Sequence, residues 1–136
     1  MPYAAPRMFD LVNDIESYPS FLPWCRSTTV HSRTEDEVRA TIEMAKGGLQ
    51  KSFTTVNRLQ RNKMVEVRLL EGPFRRLDGF WLFDALREDA SKISLDLEFE
   101  IAGTIASKLV GPVFSEIANS LVDAFCRRAT DLYGQP

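Results

Sequence analysis

The stretch KISLDLEFEIA, residues 92–102, decides the fold. Ile93, Leu95, Leu97, Phe99 and Ile101 fall on one side of an extended chain, and Ser94, Asp96, Glu98 and Glu100 on the other. Successive side chains of a strand point to opposite faces, so this alternation predicts a sheet with one buried and one wet face. After Gly103 the period changes. From about Val113 onward, Val113, Phe114, Ile117, Leu121, Phe125 and Leu132 follow helical i, i+3, i+4, i+7 spacing, with Val110 just upstream. Glu116, Asn119, Asp123, Arg127 and Asp131 take the opposite face. Gly111-Pro112 is expected to kink or restart that helix. A long helix with one apolar stripe must bury it, and the sheet offers the only large apolar surface.

Upstream, the strand signal repeats. STTVHSRT (27–34), VRATIEMAK (38–46), KSFTTVNRL (51–59), MVEVRLLE (64–71) and LDGFWLFDAL (77–86) are separated by short turn signals. The turns fall at residues 35–37, at Gly47-Gly48, at residues 61–63, at Gly72-Pro73 and near Glu88-Asp89. Val38, Ala40, Ile42 and Met44 share one face. Six strands joined in this way predict an antiparallel meander. At the start, APRMFDLVND (5–14) reads as a short amphipathic helix with Pro6 in its first turn. DIESYPSFLPWC (14–25) follows, apolar but without period; its two prolines leave room for a single helical turn near residues 20–22. The expected class is α+β: a curved antiparallel sheet wrapped around a long C-terminal helix, closed at one end by the N-terminal helices. The gap between sheet and helix is a natural apolar cavity.

The 136 residues make a single domain, 1–136, of ordinary soluble composition, 44% apolar and 26% charged. A net charge of −2, from 17 basic and 19 acidic residues, argues against DNA or general nucleic-acid binding, which needs clustered cations. Cys25 and Cys126 form no CxxC motif and read as free, reduced thiols. The first residues lack the apolar core of a signal peptide.

Catalytic signals are sparse. His31 is the one histidine and sits in a strand pattern. Zinc-ligand spacing is absent, and Gly47-Gly48 is no phosphate loop. Asp96, Glu98 and Glu100 alternate with apolar residues, which makes them a solvated face and not a metal cluster. EGPFRRLDGFWLF (71–83) is more informative. Gly79 opens space or permits a close backbone approach. Trp81 and Phe83 share its face and offer a flat surface for a ligand. Arg75-Arg76 is a solvated pair or an anion contact.

FDLVNDIESYPSFLPWC, FTT, EGPFRRLDGFWLF and GPVFSEIANSLVDAFCRRATDLYG occur in this order over nearly the whole chain. Together they resemble the coenzyme-Q-binding START-like family. Its bacterial members are also known as ribosome association toxins, and many carry the label polyketide cyclase or lipid transport protein. The resemblance implies a helix-grip, Bet v 1-like fold around a hydrophobic tunnel. It implies binding or transport of ubiquinone or another polyprenyl quinone or lipid in support of respiration, without catalysis. A second expectation is association with the large ribosomal subunit, blocking subunit joining; a third is an aromatic polyketide cyclase or dehydratase, for which Thr55, Asn57 and His31 are the only polar candidates. In the family, a first strand lies in the sheet between the second and last strands. Here most of it is missing, so STTVHSRT and KISLDLEFEIA are expected to present unpaired edges. A late start or shortened chain accounts for that, or another chain fills the gap.

The expected ligand site places a ring near Trp81 and Phe83 and a tail along Val113, Phe114, Ile117, Leu121 and Phe125. Phe53, Thr55, Leu97 and Phe99 complete its sheet side. Tyr18, Phe21, Leu22 and Trp24 are expected to plug the end of the core; the alternative is a lid, in which Phe21 and Trp24 touch the membrane transiently and help a lipid in and out. No cofactor or metal is expected. The expected setting is the bacterial cytoplasm, at the periphery of the inner membrane, as a monomer or dimer.

Overall fold

Sequence alternation becomes one six-stranded antiparallel sheet in the computed structural model, which describes residues 2–46 and 49–134. β1 (Cys25–Arg33), β2 (Glu37–Lys46), β3 (Leu49–Gln60), β4 (Met64–Glu71), β5 (Phe74–Arg87) and β6 (Ala90–Ile101) pair in chain order. α1 (Ala5–Asn13) and a 3₁₀ segment (Ile15–Ser20) precede the sheet, and α2 (Thr104–Tyr133) follows it. The Gly47-Gly48 turn lies outside the described residues. At residues 61–63 the polar turn is realised by Asn62 at φ 65°, a left-handed conformation that Asn tolerates, and Lys63 N–H donates to Gln60 O at 2.9 Å. Register shifts in the β1–β2, β3–β4 and β5–β6 pairs are bulges that bend the strands and add twist.

β1 and β6 are the two ends of the sheet. This has a cost on β6. Ile93, Leu95, Leu97 and Phe99 face inward yet are only half-buried, whereas Val38 and Ala40 on β2 are fully buried. An edge strand lacks a neighbour to cover one flank of its side chains.

α1 buries Met8, Phe9, Leu11 and Val12 as its pattern predicts. The single turn expected at residues 20–22 is instead the 3₁₀ segment, placed earlier. Pro19 is accommodated because its missing N–H falls between two turns. Ser17 N–H closes the first on Asp14 O at 3.2 Å; Phe21 and Leu22 N–H close the second on Tyr18 O at 3.2 and 2.9 Å.

α2 begins at Thr104, directly after Gly103 as the change of period predicts, and it runs through Pro112 without restarting, as one helix of 30 residues. Pro112 removes the hydrogen bond to the Lys108 carbonyl, but Lys108 is exposed, so water is available to that carbonyl. Val110, Phe114, Ile117, Phe125 and Ala129 form the buried stripe. Leu132, expected on it, is 52% exposed. Tyr133 continues the stripe instead, packed against the core, with its ring 5.7 Å from Tyr3 and the Arg7 guanidinium 4.8 Å away. The Lys46–Glu116 ion pair (3.1 Å) ties β2 to α2.

Candidate functional site

An apolar cavity of about 90 Å³ lies between the sheet and α2. Its sheet wall follows from strand alternation. Ile42, then Phe53, Thr55 and Asn57, then Val67, Leu77 and Trp81, and finally Leu95 and Leu97 project from β2 to β6 in turn. α2 supplies Phe114, Ile117, Leu121 and Phe125, at helical spacing. Val12, Ile15, Tyr18, Leu22 and Trp24 close one end.

Two groups of aromatic rings frame this space. Phe125 meets Trp81, Phe21 and Tyr18 edge-on at 5.1, 5.1 and 5.3 Å between ring centroids. Phe114 meets Phe99 at 4.6 Å and Phe74 at 4.8 Å, with Phe53 at 6.2 Å. Such edge-to-face pairs contribute beyond simple burial. The closing segment is also fixed by polar bonds. Tyr18 hydroxyl donates to Val12 O; Thr28 Oγ1 donates to Ile15 O at 3.1 Å; Ala45 N–H donates to Trp24 O at 2.8 Å. Arg128 lays its guanidinium 5.1 Å over the Phe21 ring.

Of the expected site residues, Trp24, Phe53, Thr55, Trp81, Leu97, Phe114, Ile117, Leu121 and Phe125 line the cavity. Phe83, Phe99, Val113 and Phe21 do not. Phe83 lies in the core between Trp81 (6.5 Å, stacked) and Phe9 of α1 (5.7 Å). Phe99 backs Phe114 from outside, Val113 packs beside the core, and Phe21 sits behind Phe125. Val12, Ile15, Ile42, Val67, Leu77 and Leu95 also line it without having been expected at the ligand site, and so do Tyr18 and Leu22, expected only as part of the plug. Inward alternation marked the strand members; nothing in the irregular 14–25 stretch distinguished a cavity wall from a plug. Gly79 does not open the cavity. A Cβ there would stand 2.3 Å from Asp96 O and 2.9 Å from Leu97 Cα, so its bare backbone serves the close approach of β5 to β6.

The cavity carries no carboxylate, amine, guanidinium or imidazole among its lining residues. Burial first, then Cys25 and Asp14, pushes the Tyr18 phenol far above its ordinary range, so it stays neutral. Thr55 and Asn57 are buried and joined by a hydrogen bond of 3.1 Å from Thr55 Oγ1 to Asn57 Oδ1. The charged groups are elsewhere. Arg76 pairs with Asp78 (3.6 Å) and Glu98 (3.2 Å), and Arg75 with Glu100 (3.6 Å), so the acidic face of β6 is a solvated ion-pair surface. His31 is exposed and bonds Thr41 Oγ1 at 2.6 Å. No group of three metal-ligating side chains occurs among the described residues, and no described helix is long and apolar enough to cross a membrane.

Comparisons agree with this geometry. The model of the family described as polyketide cyclase / dehydrase and lipid transport matches residues 1–126. A Pseudomonas aeruginosa protein named ribosome association toxin RatA is 48% identical over 134 residues, covering 98% of this chain and 93% of its own. The mitochondrial coenzyme Q-binding protein COQ10 homolog B of Xenopus laevis is 25% identical over 137 residues, covering 98% of this chain and 56% of its own. Among solved structures, the Zhui aromatase/cyclase from Streptomyces sp. R1128 superposes with a TM-score of 0.83 at 14% identity, covering 99% of this chain and 93% of its own. A START superfamily protein from Mycobacterium smegmatis does so with 0.80 at 19% identity, covering 97% and 93%. At such identities the structures speak for the fold alone. The six-stranded sheet closed on one long helix is START-like, and the chain belongs to the polyketide cyclase / dehydrase and lipid transport family.

Proposed function

We propose that this protein binds a hydrophobic ligand, a polyprenyl quinone such as ubiquinone or a related lipid, in support of respiration and without catalysing a reaction. The observation that carries the reading is the cavity between sheet and helix, apolar and free of charged side chains. Apolar burial contributes roughly 25 cal/mol per Å², from which ordering costs subtract. At about 90 Å³ the space is well below the roughly 300–1,000 Å³ of a drug-sized pocket, so loading requires α2 and the closing segment to separate. The relative named for coenzyme Q binding supports the quinone class. The test is delipidated protein titrated with decylubiquinone while Trp24 and Trp81 fluorescence is followed. Saturable quenching is expected; its absence refutes the reading.

A second reading is association with the large ribosomal subunit that hinders subunit joining; the name of the 48%-identical relative supports its coarser part, association with the ribosome. The sequence has two adjacent basic pairs, Arg75-Arg76 and Arg127-Arg128; Arg75 and Arg76 are engaged with acidic neighbours, which leaves exposed Arg127 better placed. Cosedimentation with large subunits that survives moderate salt and falls in Arg127→Ala supports it; no cosedimentation of the wild type refutes it.

A further inference from the structure

Building on the hydrophobic-ligand reading, we propose that Thr55 and Asn57 are a polar anchor within the cavity, which receives a neutral carbonyl oxygen of the ligand and turns ionised head groups away. Both residues come from one inward-facing row of β3, two positions apart, and both line the cavity at 3% and 7% exposure. Buried polar groups in an apolar wall cost free energy unless they are paired. Their mutual bond satisfies only part of their capacity. Thr55 Oγ1 donates to Asn57 Oδ1, which engages the carbonyl end of the carboxamide. What remains is the Asn57 amino group, with two N–H donors, one lone pair of Asn57 Oδ1 and the lone pairs of the Thr55 hydroxyl.

The rest of the lining sharpens the chemistry. Its other polar atoms are the Tyr18 hydroxyl, which is committed to Val12 O, and the two indole N–H groups of Trp24 and Trp81. The Asn57 amino group offers its donors to the cavity, and the group complementary to them is an acceptor. A phosphate or carboxylate is also an acceptor, but no cation in the lining compensates its charge, and moving an unpaired ion into such a space costs several kcal/mol. A ring ketone meets the requirement without that penalty. Asn57 pairs with Val67 across β3–β4, and Val67 with Gly79 across β4–β5, one row from Trp81. Asn57 and Trp81 are thus two strands and two residues apart, roughly 12 Å between Cα atoms. A flat ring lying on Trp81 directs one carbonyl at Asn57 across that span.

The test uses the delipidated full chain with decylubiquinone, decylbenzene and dodecanoate as probes, read by Trp fluorescence. Asn57→Leu and Thr55→Val keep similar shapes, and thermal unfolding reports whether each is folded. Asn57→Leu is expected to weaken decylubiquinone roughly five- to tenfold and to leave decylbenzene unchanged or tighter. Wild type is expected to bind dodecanoate more weakly at neutral pH than at a pH where its carboxyl is protonated. A measurement without any variant stands beside these: the infrared carbonyl stretch of decylubiquinone bound to wild type is expected at lower frequency than in hexane. Saturable binding with an unshifted carbonyl band, or equal decylubiquinone affinity in a folded Asn57→Leu, overturns the anchor and leaves the hydrophobic-ligand reading standing. Failure of wild type to take up any of the three probes overturns both.

Discussion

Phe125→Ala removes the ring on which α2, the closing segment and β5 converge. The side chain is 1% exposed and has three aromatic neighbours within 5.3 Å between centroids. Losing burial of a Phe side chain costs about 1.5–3 kcal/mol. The void adds about 24 cal/mol per Å³, so a residual space of roughly 80 Å³ adds about 2 kcal/mol. The total, about 3–5 kcal/mol, is the range observed for large core aromatics. Collapse is limited here because one wall is a strand and one a long helix, neither of which shifts without disturbing its hydrogen bonds. The void also joins the existing cavity, since Phe125 lines it. Urea unfolding gives the stability, and Trp fluorescence follows uptake of benzene, which enlarged apolar cavities bind. A loss under about 1 kcal/mol, with no benzene uptake, would refute the placement of this ring.

Three further outcomes follow from the geometry. Gly79→Ala puts a methyl against the β6 backbone, which cannot rotate away, and is expected to cost at least about 2 kcal/mol in urea unfolding; a neutral change contradicts the close approach. Phe21→Ala is expected to cost about 1–2 kcal/mol, less than Phe125→Ala because the ring is half-buried, and to speed ligand exchange in stopped-flow fluorescence; a loss equal to that of Phe125→Ala makes the segment a plug and not a lid. Stability is expected to decline on the alkaline side. Burial lifts the Cys25 thiol from 9.0 to about 11, so the unfolded chain releases its proton first; this contribution is complete below pH 9 and is lost as pH rises toward 11. The loss is on the order of 1–2 kcal/mol, and Tyr18, also lifted by burial, extends it to higher pH. Chemical denaturation between pH 8 and 11 measures it, and an unchanged slope in Cys25→Ala speaks against the assignment.

The strand order, the wet and buried faces, and the polar side of α2 were legible because each is a local periodicity. MVEVRLLE became β4 with the same ends, and Glu116, Asn119, Asp123, Arg127 and Asp131 are exposed as their spacing predicts. The continuity of α2 through its middle was not legible. Gly111-Pro112 is a local breaker signal, and only packing against the sheet keeps the helix continuous through it. The 3₁₀ segment was misplaced for a related reason: prolines state where an α-helix is disfavoured, and say little about tighter turns.

Alternation assigned Phe83 and Phe99 to the inner face, and both are there. A face is a one-dimensional property, however, while a cavity is defined by position along a curved sheet beneath a crossing helix. That is why Phe83 packs under α1 and Phe99 backs Phe114, while Thr55, Asn57 and Trp81 reach the open space. Gly79 makes the same point, since its missing side chain fits either an opening or a close approach, and the distance to Asp96 O decides. By itself the sequence determined the six strands, the long helix, their faces and the absence of charge from the inner row. Tertiary structure alone decided which inward side chains meet across the gap and how small that gap is, because both depend on contacts between residues far apart in the chain.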